Sequence, residues 1–330
     1  MITDLFIDIS GLDPDTPASV VPPACRRASS AAPRETIGAG EILLEFPAWR
    51  PRADARHLLP SLSVLTEIRY AARFELSVAT GGGWSPWVAT ATLGPGEFAP
   101  LCQATETLSC DIDVYTARAP VSELRLRVRL AAPDPRTLAA APRITTLSAC
   151  DLTTPVAVTT AAAVARLPVP ARSQLDAPPD IALRICSPVS VAMVLDYWGA
   201  PTAMLPLVAE MFHPATDRYG VWPAAIQAAG RRGVAGYLLR FPDWASAVWC
   251  LERRLPIVAS INYSAGELTG APMPETSGHL LVLTGCDGPD VLVNDPVAAP
   301  PSEVPRRYRL DELRRVWLER TGVGYVLFRP

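Results

Sequence analysis

The chain has 330 residues, of which 49% are apolar, so it is long enough for two domains of ordinary size with hydrophobic cores. Its formal charge is −3, and its 30 basic residues are all arginines without a polybasic tract, which excludes the electrostatic pattern of nucleic-acid or membrane binders. Seven cysteines of irregular spacing argue against a complete disulfide framework, and three histidines without metal-ligand spacing argue against a metal site. No cofactor is predicted.

The N-terminal stretch from Met1 to Ser10 contains early acids and too short an apolar run for a signal peptide. No run approaches the roughly 18 apolar residues that a membrane span requires. We therefore expect a soluble, cytoplasmic protein with reduced thiols. Its oligomeric state is not indicated by any pattern in the sequence.

The sequence predicts an α+β protein of two domains. Residues 1–40 are rich in Pro, Ala, Asp and Ser, which predicts an extended or loosely ordered segment. Residues 41–155 contain short alternating runs between Gly and Pro turns, which predict an all-β sandwich of jelly-roll type. Within it, Glu123–Leu130 alternates so regularly that one face must be apolar and the other lined with arginine. Residues 156–171 are predicted to be a linker.

From 172 to 330, helical patterns alternate with strand patterns. A strand is predicted over Ile257–Tyr263 and another near 323–328. Helices are predicted between Cys186 and Gly199, near 204–212, at 223–231, from Asp243 onward, and at 311–319.

The segment Cys186–Gly199 predicts a helix that carries a cysteine in its first turn. Pro188 suits the first helical position, and Gly199 suits the residue just past the end. The roughly twelve residues between them are apolar on nearly every side, as expected for a buried central helix. Cys186 would then lie at the positive end of the helix dipole, where a thiol ionises more easily.

A β-hairpin is predicted to bring His279 and Asp295 together. If Cys286-Asp287-Gly288 is a three-residue turn with Gly288 in the left-handed conformation, residue 285 faces 289 and residue 279 faces 295. Pro296 would end the pairing there, because proline has no N–H to donate. Asp295 is therefore predicted to lie on the same sheet face as His279.

A cysteine at a helix start, a histidine at a strand start and a carboxylate across the sheet are the components of a thiol protease. A free thiol of pKa about 8.5 is only a few per cent thiolate at neutral pH, and a helix terminus contributes at most about 2 kcal/mol to its ionisation. The remainder must come from an imidazolium, which we assign to His279, with Asp295 as its orienting carboxylate. Asp295 could equally be a turn-forming residue before Pro296, in which case Asn294 is the alternative orienting residue.

An acyl-transfer site also needs hydrogen-bond donors for the developing oxyanion. The backbone N–H of Cys186 is one candidate. Gln174, twelve residues before Cys186, is the second candidate, and the alternative is that it is a solvated glutamine of the linker.

Three motifs in this order carry a family resemblance: CSPVSVAMVLDYWG, SGHLLVLTG and VNDP. They resemble the bacteriocin-processing-type, double-glycine peptidase-like cysteine peptidases, over about residues 172–330. The resemblance implies a papain-like fold, in which a central helix packs on an antiparallel sheet. It also implies Cys186 as the nucleophile, His279 as the general base, Asp295 as the orienting residue and Gln174 as the oxyanion donor.

The function predicted from these observations is that of a cysteine peptidase that hydrolyses a peptide or peptide-like amide. Trp222 and the loop that ends in Ser277 and Gly278 are predicted to flank the substrate groove. Two alternatives stay open: a catalytically silent papain-like binding module, and an acyl transferase (transpeptidase) that uses the same three residues. The identity of the substrate is not encoded in any pattern that we can interpret.

Overall fold

The computed structural model describes residues 1–28, 31–157 and 162–330. Within these ranges it is a mixed α+β protein, as predicted, and its strands form three sheets. The first two sheets belong to the first half of the chain and the third to the second half. None of the helices in these ranges is long and apolar enough to span a membrane.

The first half of the chain is mainly β-structure. Its strands are β1 (Thr3–Ser10), β2 (Arg26–Ala28), β3 (Arg34–Ile37), β4 (Glu41–Glu45), β5 (Ala55–Val64), β6 (Ala71–Thr80), β7 (Gly83–Trp84), β8 (Val88–Ala89), β9 (Leu108–Asp111), β10 (Val114–Val121), β11 (Leu124–Ala131) and β12 (Arg143–Cys150). Its helices are α1 (Thr16–Val20) and α2 (Pro135–Ala140). The first sheet has the order β2-β1-β12-β5-β10-β9, and the second has the order β3-β4-β11-β6-β7 with β8 beside β6.

Strand β11 confirms the predicted alternation. Its apolar residues, among them Leu126 and Val128, are buried in the core between the two sheets, and its arginines lie on the opposite face. There Arg127 and Arg129 form ion pairs with Glu75 of β6, whose side chain is fully buried beneath them. A strand can carry this sequence because successive side chains point to opposite faces of the sheet.

Residues 1–40 contribute β1 and β2 to the first sheet and β3 to the second, whereas the sequence predicted only an extended or loosely ordered segment. Strand β1 pairs with β12 along its whole length and with β2 on its other side. Leu5 and Ile7 belong to the core that the two halves share, and Phe6 belongs to the core between the first two sheets. The short apolar alternation in β1 therefore outweighs the Pro-rich and Ser-rich composition around it.

The second half contains the third sheet and most of the helices. Its strands are β13 (Ala162–Val164), β14 (Ala235–Arg240), β15 (Ile257–Tyr263), β16 (Thr276–Gly288), β17 (Asp290–Asn294), β18 (Pro305–Arg309) and β19 (Val323–Phe328). Its helices are α3 (Pro179–Ala182), α4 (Cys186–Tyr197), α5 (Met204–Met211), α6 (Trp222–Gly230), α7 (Trp244–Glu252) and α8 (Leu310–Val316). The third sheet has the order β14-β19-β15-β16-β17-β18, with β13 beside β16.

The predicted linker, 156–171, falls partly on residues 158–161, which lie outside the described residues. Directly after them, β13 pairs with β16 and joins the third sheet. Gly285 permits this approach, because a Cβ at that position would lie only 2.7 Å from the carbonyl oxygen of Val164. The described part of the segment is thus ordered against the second half.

The two halves pack against each other through a common hydrophobic core. Strands β5 and β12 of the first sheet contact β14 of the third sheet, and β5 also contacts α6. Leu59 and Ile144 belong to the same buried cluster as Ile226 of α6. The first sheet is therefore buried on both faces, by the second sheet on one side and by the second half of the chain on the other.

Serine hydroxyls of the first half cover the outer edge of the third sheet. Strand β14 lies at this edge, where backbone N–H groups that point away from the sheet have no partner strand. These N–H groups donate instead to side chains of β5 and β12: Gly236 to Ser63 at 3.3 Å, Leu238 to Ser61 at 3.1 Å and Arg240 to Ser148 at 3.1 Å.

Candidate active site

Helix α4 places Cys186 at the border between the core and solvent. The helix begins at Cys186, so Pro188 is its third residue and not its first, which the helix tolerates because its first N–H groups have no intrahelical partner. Residues 187–195 are all buried, which confirms the prediction of a buried central helix, while Cys186 itself is partly exposed.

Ser190 fixes the first turn of α4 against β16. Its hydroxyl donates a hydrogen bond of 3.1 Å to the backbone oxygen of Leu280. Ser190 follows Cys186 by one helical turn, and Leu280 follows His279 directly in β16. This bond therefore ties the helix start that carries the cysteine to the strand that carries the histidine.

The imidazole of His279 lies between a carboxylate and a thiol. Its Nε2 is 2.8 Å from Oδ1 of Asp295, and the side chain of Cys186 lies beside the ring. His279 and Asp295 are 2% and 1% exposed. The structure thus brings together the three side chains that the sequence singled out, and only the cysteine among them reaches solvent.

His279 and Asp295 stabilise each other's charged form. Burial alone would lower the pKa of His279, but the charge and hydrogen bond of Asp295, together with the contact to Cys186, raise that pKa to about 10. Burial alone would raise the pKa of Asp295, but the charge of His279 and the hydrogen bonds from His279 and Tyr308 hold it below its usual value. The pair is therefore an imidazolium and a carboxylate at neutral pH.

Two further donors, which the sequence did not predict, hold the carboxylate of Asp295. The Tyr308 hydroxyl donates to Oδ2 at 2.7 Å, and the backbone N–H of Val297 donates to Oδ1 at 3.2 Å. Tyr308 is the buried residue of β18, between the exposed Arg307 and Arg309. This Arg-Tyr-Arg alternation is the signal from which an inward-facing tyrosine could have been predicted.

Asn294, the alternative orienting residue, is engaged elsewhere. Its Nδ2 donates to the backbone oxygen of Val169 at 2.9 Å, and its Oδ1 accepts from Arg166 at 3.3 Å. Asp295, in contrast, has a direct contact with the imidazole of His279.

The contact between His279 and Asp295 forms through a different hairpin register from the predicted one. Gly288 is left-handed as predicted, with φ of 59°, but the turn lies at Gly288-Pro289, so Asp287 pairs with Asp290. If this register continued, Asp295 would lie opposite residue 282 and on the other sheet face from His279, because side chains alternate along a strand.

A β-bulge at Thr284 places Asp295 on the same face of the sheet as His279. Gly285 pairs with Leu292, but the next pair is Leu283 with Val293, so Thr284 is the extra residue in β16. The one-residue shift returns Asp295 to the face of His279. The hydroxyl of Thr284 donates to the Leu292 carbonyl at 3.0 Å and accepts from Arg166 at 3.2 Å, which fixes the bulge.

Gln174 is buried beside the Asp295 segment and is not a solvated linker residue. It is 1% exposed, it begins a 3₁₀ turn (Gln174–Asp176), and its backbone N–H donates to the carbonyl of Pro296 at 2.7 Å. Its Nε2 donates to the carbonyl of Ala182 at 2.7 Å, and its Oε1 has no hydrogen-bond partner within the described residues. The Nε2 group of Gln174 carries two hydrogens, and the carbonyl of Ala182 accepts only one of them, so the second hydrogen can be donated to another acceptor.

A cavity of about 580 Å³ lies over Cys186. Its lining includes Trp222, Ser277 and Gly278, the three residues that were predicted to flank the groove. It also includes the turn between β9 and β10, residues 111–114, which belongs to the first half of the chain. The partly exposed thiol therefore opens into a space large enough for several side chains of a bound molecule.

A comparison with protein-family models finds a match, which covers the residues of this site. Residues 166–325 match the model of the Peptidase_C39 like family. No curated protein matches the chain.

Among solved structures, the chain is similar to a double glycine motif protease from an AMS/PCAT transporter, in complex with the leader peptide, with 18% identity and a TM-score of 0.36. It is also similar to a C39-like peptidase from Bacillus anthracis, with 16% identity and a TM-score of 0.41. Each match covers 51% of this chain and 98% of the other. The matched family segment contains Cys186, His279 and Asp295, so the part of the chain that is similar to the Peptidase_C39 like family is the part that holds the site.

Proposed function

We propose that this protein is a cysteine peptidase that hydrolyses a peptide or peptide-like amide, with Cys186 as the nucleophile. The observation that carries the proposal is the buried His279, which contacts both Asp295, at 2.8 Å, and the partly exposed Cys186. The family match over residues 166–325 supports the same reaction class.

The proposed mechanism uses the charged state of His279. An imidazolium next to a sulfur favours the thiolate, which is the nucleophilic form of cysteine. The sulfur of Cys186 attacks the carbonyl carbon of the substrate, and the C–N bond breaks as His279 gives its proton to the leaving nitrogen. Water then attacks the thioester while His279 accepts its proton, and the thiolate leaves, which restores the starting pair.

Two groups are proposed to stabilise the oxyanion. Cys186 is the first residue of α4, so its backbone N–H has no intrahelical partner and can donate. The second group is the Gln174 amide, one of whose two hydrogens is engaged by Ala182. The buried position of Gln174 beside Pro296 supports this role.

We further propose that residues 41–155, together with β1 to β3 of residues 1–40, form a jelly-roll-like sandwich domain, which the segment 156–171 joins to a papain-like domain over 172–330. The first assignment is supported by the core between the first two sheets, and the second by the packing of α4 on β16 of an antiparallel sheet. A peptide or peptide-like molecule is the proposed partner.

Alkylation by iodoacetamide at neutral pH tests the activated cysteine, with Cys102 as an internal control because it is exposed. We expect Cys186 to react at least about tenfold faster than Cys102, because a neighbouring imidazolium favours the thiolate. His279→Ala should remove this difference. A Cys186 that reacts no faster than Cys102, with no effect of His279→Ala, would contradict the proposal.

Turnover of a peptide library separates the peptidase from a silent binding module. Cleavage that Cys186→Ala abolishes supports the peptidase, whereas equally strong binding by both proteins without cleavage supports the module. Gln174→Ala should lower turnover by about 10²-fold and leave alkylation unchanged, because alkylation forms no oxyanion. Gln227→Ala is the matched control, since Gln227 is also buried but bonds to Tyr70.

A further inference from the structure

The first half of the chain forms one wall of the cavity over Cys186. The turn between β9 and β10, residues 111–114, lines this cavity together with Cys186 and Trp222. Ile112 in the turn has φ of 58°, a conformation that β-branched residues rarely adopt. Its carbonyl accepts a hydrogen bond of 2.8 Å from the Ala91 N–H, so the first half holds the turn in this shape.

Asp113 connects the turn to the second half of the chain. Its Oδ2 accepts the backbone N–H of Trp222 at 2.8 Å, and the residue is only 8% exposed. Trp222 is the first residue of α6, whose own N-cap residue, Val221, makes no side-chain cap. A carboxylate from the first half therefore satisfies the start of this helix and fixes the position of Trp222 at the cavity.

Asp111 contributes a negative charge to the same wall. It is exposed to the cavity, and within the described residues its carboxylate has no ion pair or hydrogen bond. Arg184, which also lines the cavity, is neutralised by Asp217 at 2.7 Å. Arg218 lines the cavity from the second half, where its guanidinium likewise has no ion pair within the described part.

We propose that the 111–114 turn is a substrate-selecting wall of the groove, and that Asp111 favours substrates with a cationic group, a lysine or arginine side chain or a free amine, on this side. The inference rests on the proposed function of the cavity as a substrate groove. An unpaired carboxylate attracts such a group, and the low-dielectric walls of a cleft strengthen the attraction. The specificity of the second half would thus depend on a loop of the first.

The rates at which charged thiol reagents react with Cys186 report the electrostatic potential in this groove. The full chain is treated with a methanethiosulfonate that carries either a trimethylammonium or a sulfonate group, and the Cys186 sulfur displaces methanesulfinate to form a mixed disulfide. Because the chain contains no lysine, trypsin cuts only at arginine and releases the peptide Ile185–Arg218, in which Cys186 is the one cysteine. The mass of this peptide gives the rate for each reagent.

We expect Asp111→Asn to lower the ratio of the cationic to the anionic rate by about three- to tenfold, the effect of one unit charge near the reacting sulfur. Glu106→Gln is the matched control, because it removes the same charge from an exposed residue of the same half that does not line the cavity. The ratio in this control should stay unchanged. An unchanged ratio in Asp111→Asn, or a Cys186 that neither reagent reaches, would overturn the proposal.

This experiment distinguishes the inference from the proposed function. Methanethiosulfonates react with any accessible thiol, so the ratio reports the charge of the groove even if the chain cleaves no peptide. A failure of the proposed function appears instead as slow iodoacetamide alkylation of Cys186. For peptides that are cleaved, Asp111→Asn should raise KM for lysine- and arginine-containing substrates and leave neutral ones unchanged. An equal effect on both would contradict the selectivity.

Discussion

At His279, two opposing effects act on the same proton. Burial favours the neutral imidazole, whereas the carboxylate of Asp295 favours the imidazolium, and the carboxylate prevails. Because the ring is only 2% exposed, water cannot replace the carboxylate if it is removed. The charge of the imidazole therefore depends on Asp295.

Asp295→Asn should consequently remove the fast alkylation of Cys186. In the unmodified protein, His279 stays protonated as the pH rises, until the pH reaches its pKa of about 10, so an imidazolium faces the sulfur throughout the neutral range. Without the carboxylate, burial lowers that pKa, the imidazole is neutral at pH 7, and the alkylation rate falls by at least about tenfold. Rates measured between about pH 5 and pH 9 test this expectation.

The matched control for this measurement is Asp287→Asn. Asp287 lies on the same hairpin but is 64% exposed and pairs with Arg307, away from the imidazole. Its pH profile should coincide with that of the unmodified protein. If the Asp295→Asn profile coincides as well, the imidazolium does not activate the cysteine.

The residues of the site differ in how far the sequence could predict them. Cys186 and His279 could be chosen because their residue types occur at the start of a predicted helix and of a predicted strand. The Arg-Tyr-Arg alternation marks Tyr308 as an inward-facing residue, but its bond to Asp295 could not be predicted, because that bond depends on the pairing of β18 with β17. The orientation of the Gln174 amide depends similarly on one carbonyl, that of Ala182.

At the scale of elements, the Thr284 bulge determines which face of the sheet carries Asp295. The predicted strands over Ile257–Tyr263 and 323–328 coincide with β15 and β19, because long apolar runs specify the existence of a strand. Apolar runs do not specify the register in which a strand pairs with its neighbour. The predicted hairpin register was wrong at the turn, and the bulge compensates for the difference, so the expected contact forms.

Deleting Thr284 should therefore separate Asp295 from His279. Without the extra residue, the register that begins at Asp287 and Asp290 continues along the hairpin, and Asp295 turns to the opposite sheet face. We expect the alkylation rate of Cys186 to fall to that of Asp295→Asn while the far-UV circular dichroism is retained.

Thr284→Val keeps the bulge residue and removes only its hydroxyl, which donates to Leu292. This control should keep fast alkylation and lose about 1 kcal/mol in the free energy of unfolding, as for one hydrogen bond. Fast alkylation in the deletion variant would show that the bulge does not position the carboxylate.

At the scale of the whole molecule, the two halves of the chain are one packed structure. The composition of the sequence suggested two units with a linker, but a single buried cluster contains residues of both. The packing of the two halves could not be predicted from the serines of β5. Ser61 and Ser63 alternate with apolar residues, as the solvent-facing residues of a strand do. Their hydroxyls instead face the N–H groups of β14, so a polar residue does not mark solvent here.

Combined replacement of Ser61, Ser63 and Ser148 by alanine should destabilise the whole protein. Each replacement leaves a buried N–H of β14 without its acceptor, which costs about 1–3 kcal/mol. We expect urea unfolding at a lower midpoint and still as one transition, because the halves share a core. Ser109→Ala is the control, since that exposed hydroxyl bonds only within its own hairpin. A midpoint equal to the control would contradict this account.

Under the proposed function, the covered edge of the third sheet also limits how a long substrate can bind. Hydroxyl groups occupy the β14 side, and the β18 side begins with Pro305, which has no N–H, and continues with arginines. Among the described strands, neither border thus offers the free ladder that an incoming peptide needs for β-augmentation. Under the proposed function, an extended polypeptide would instead lie in the cavity over Cys186, which is lined by residues of both halves.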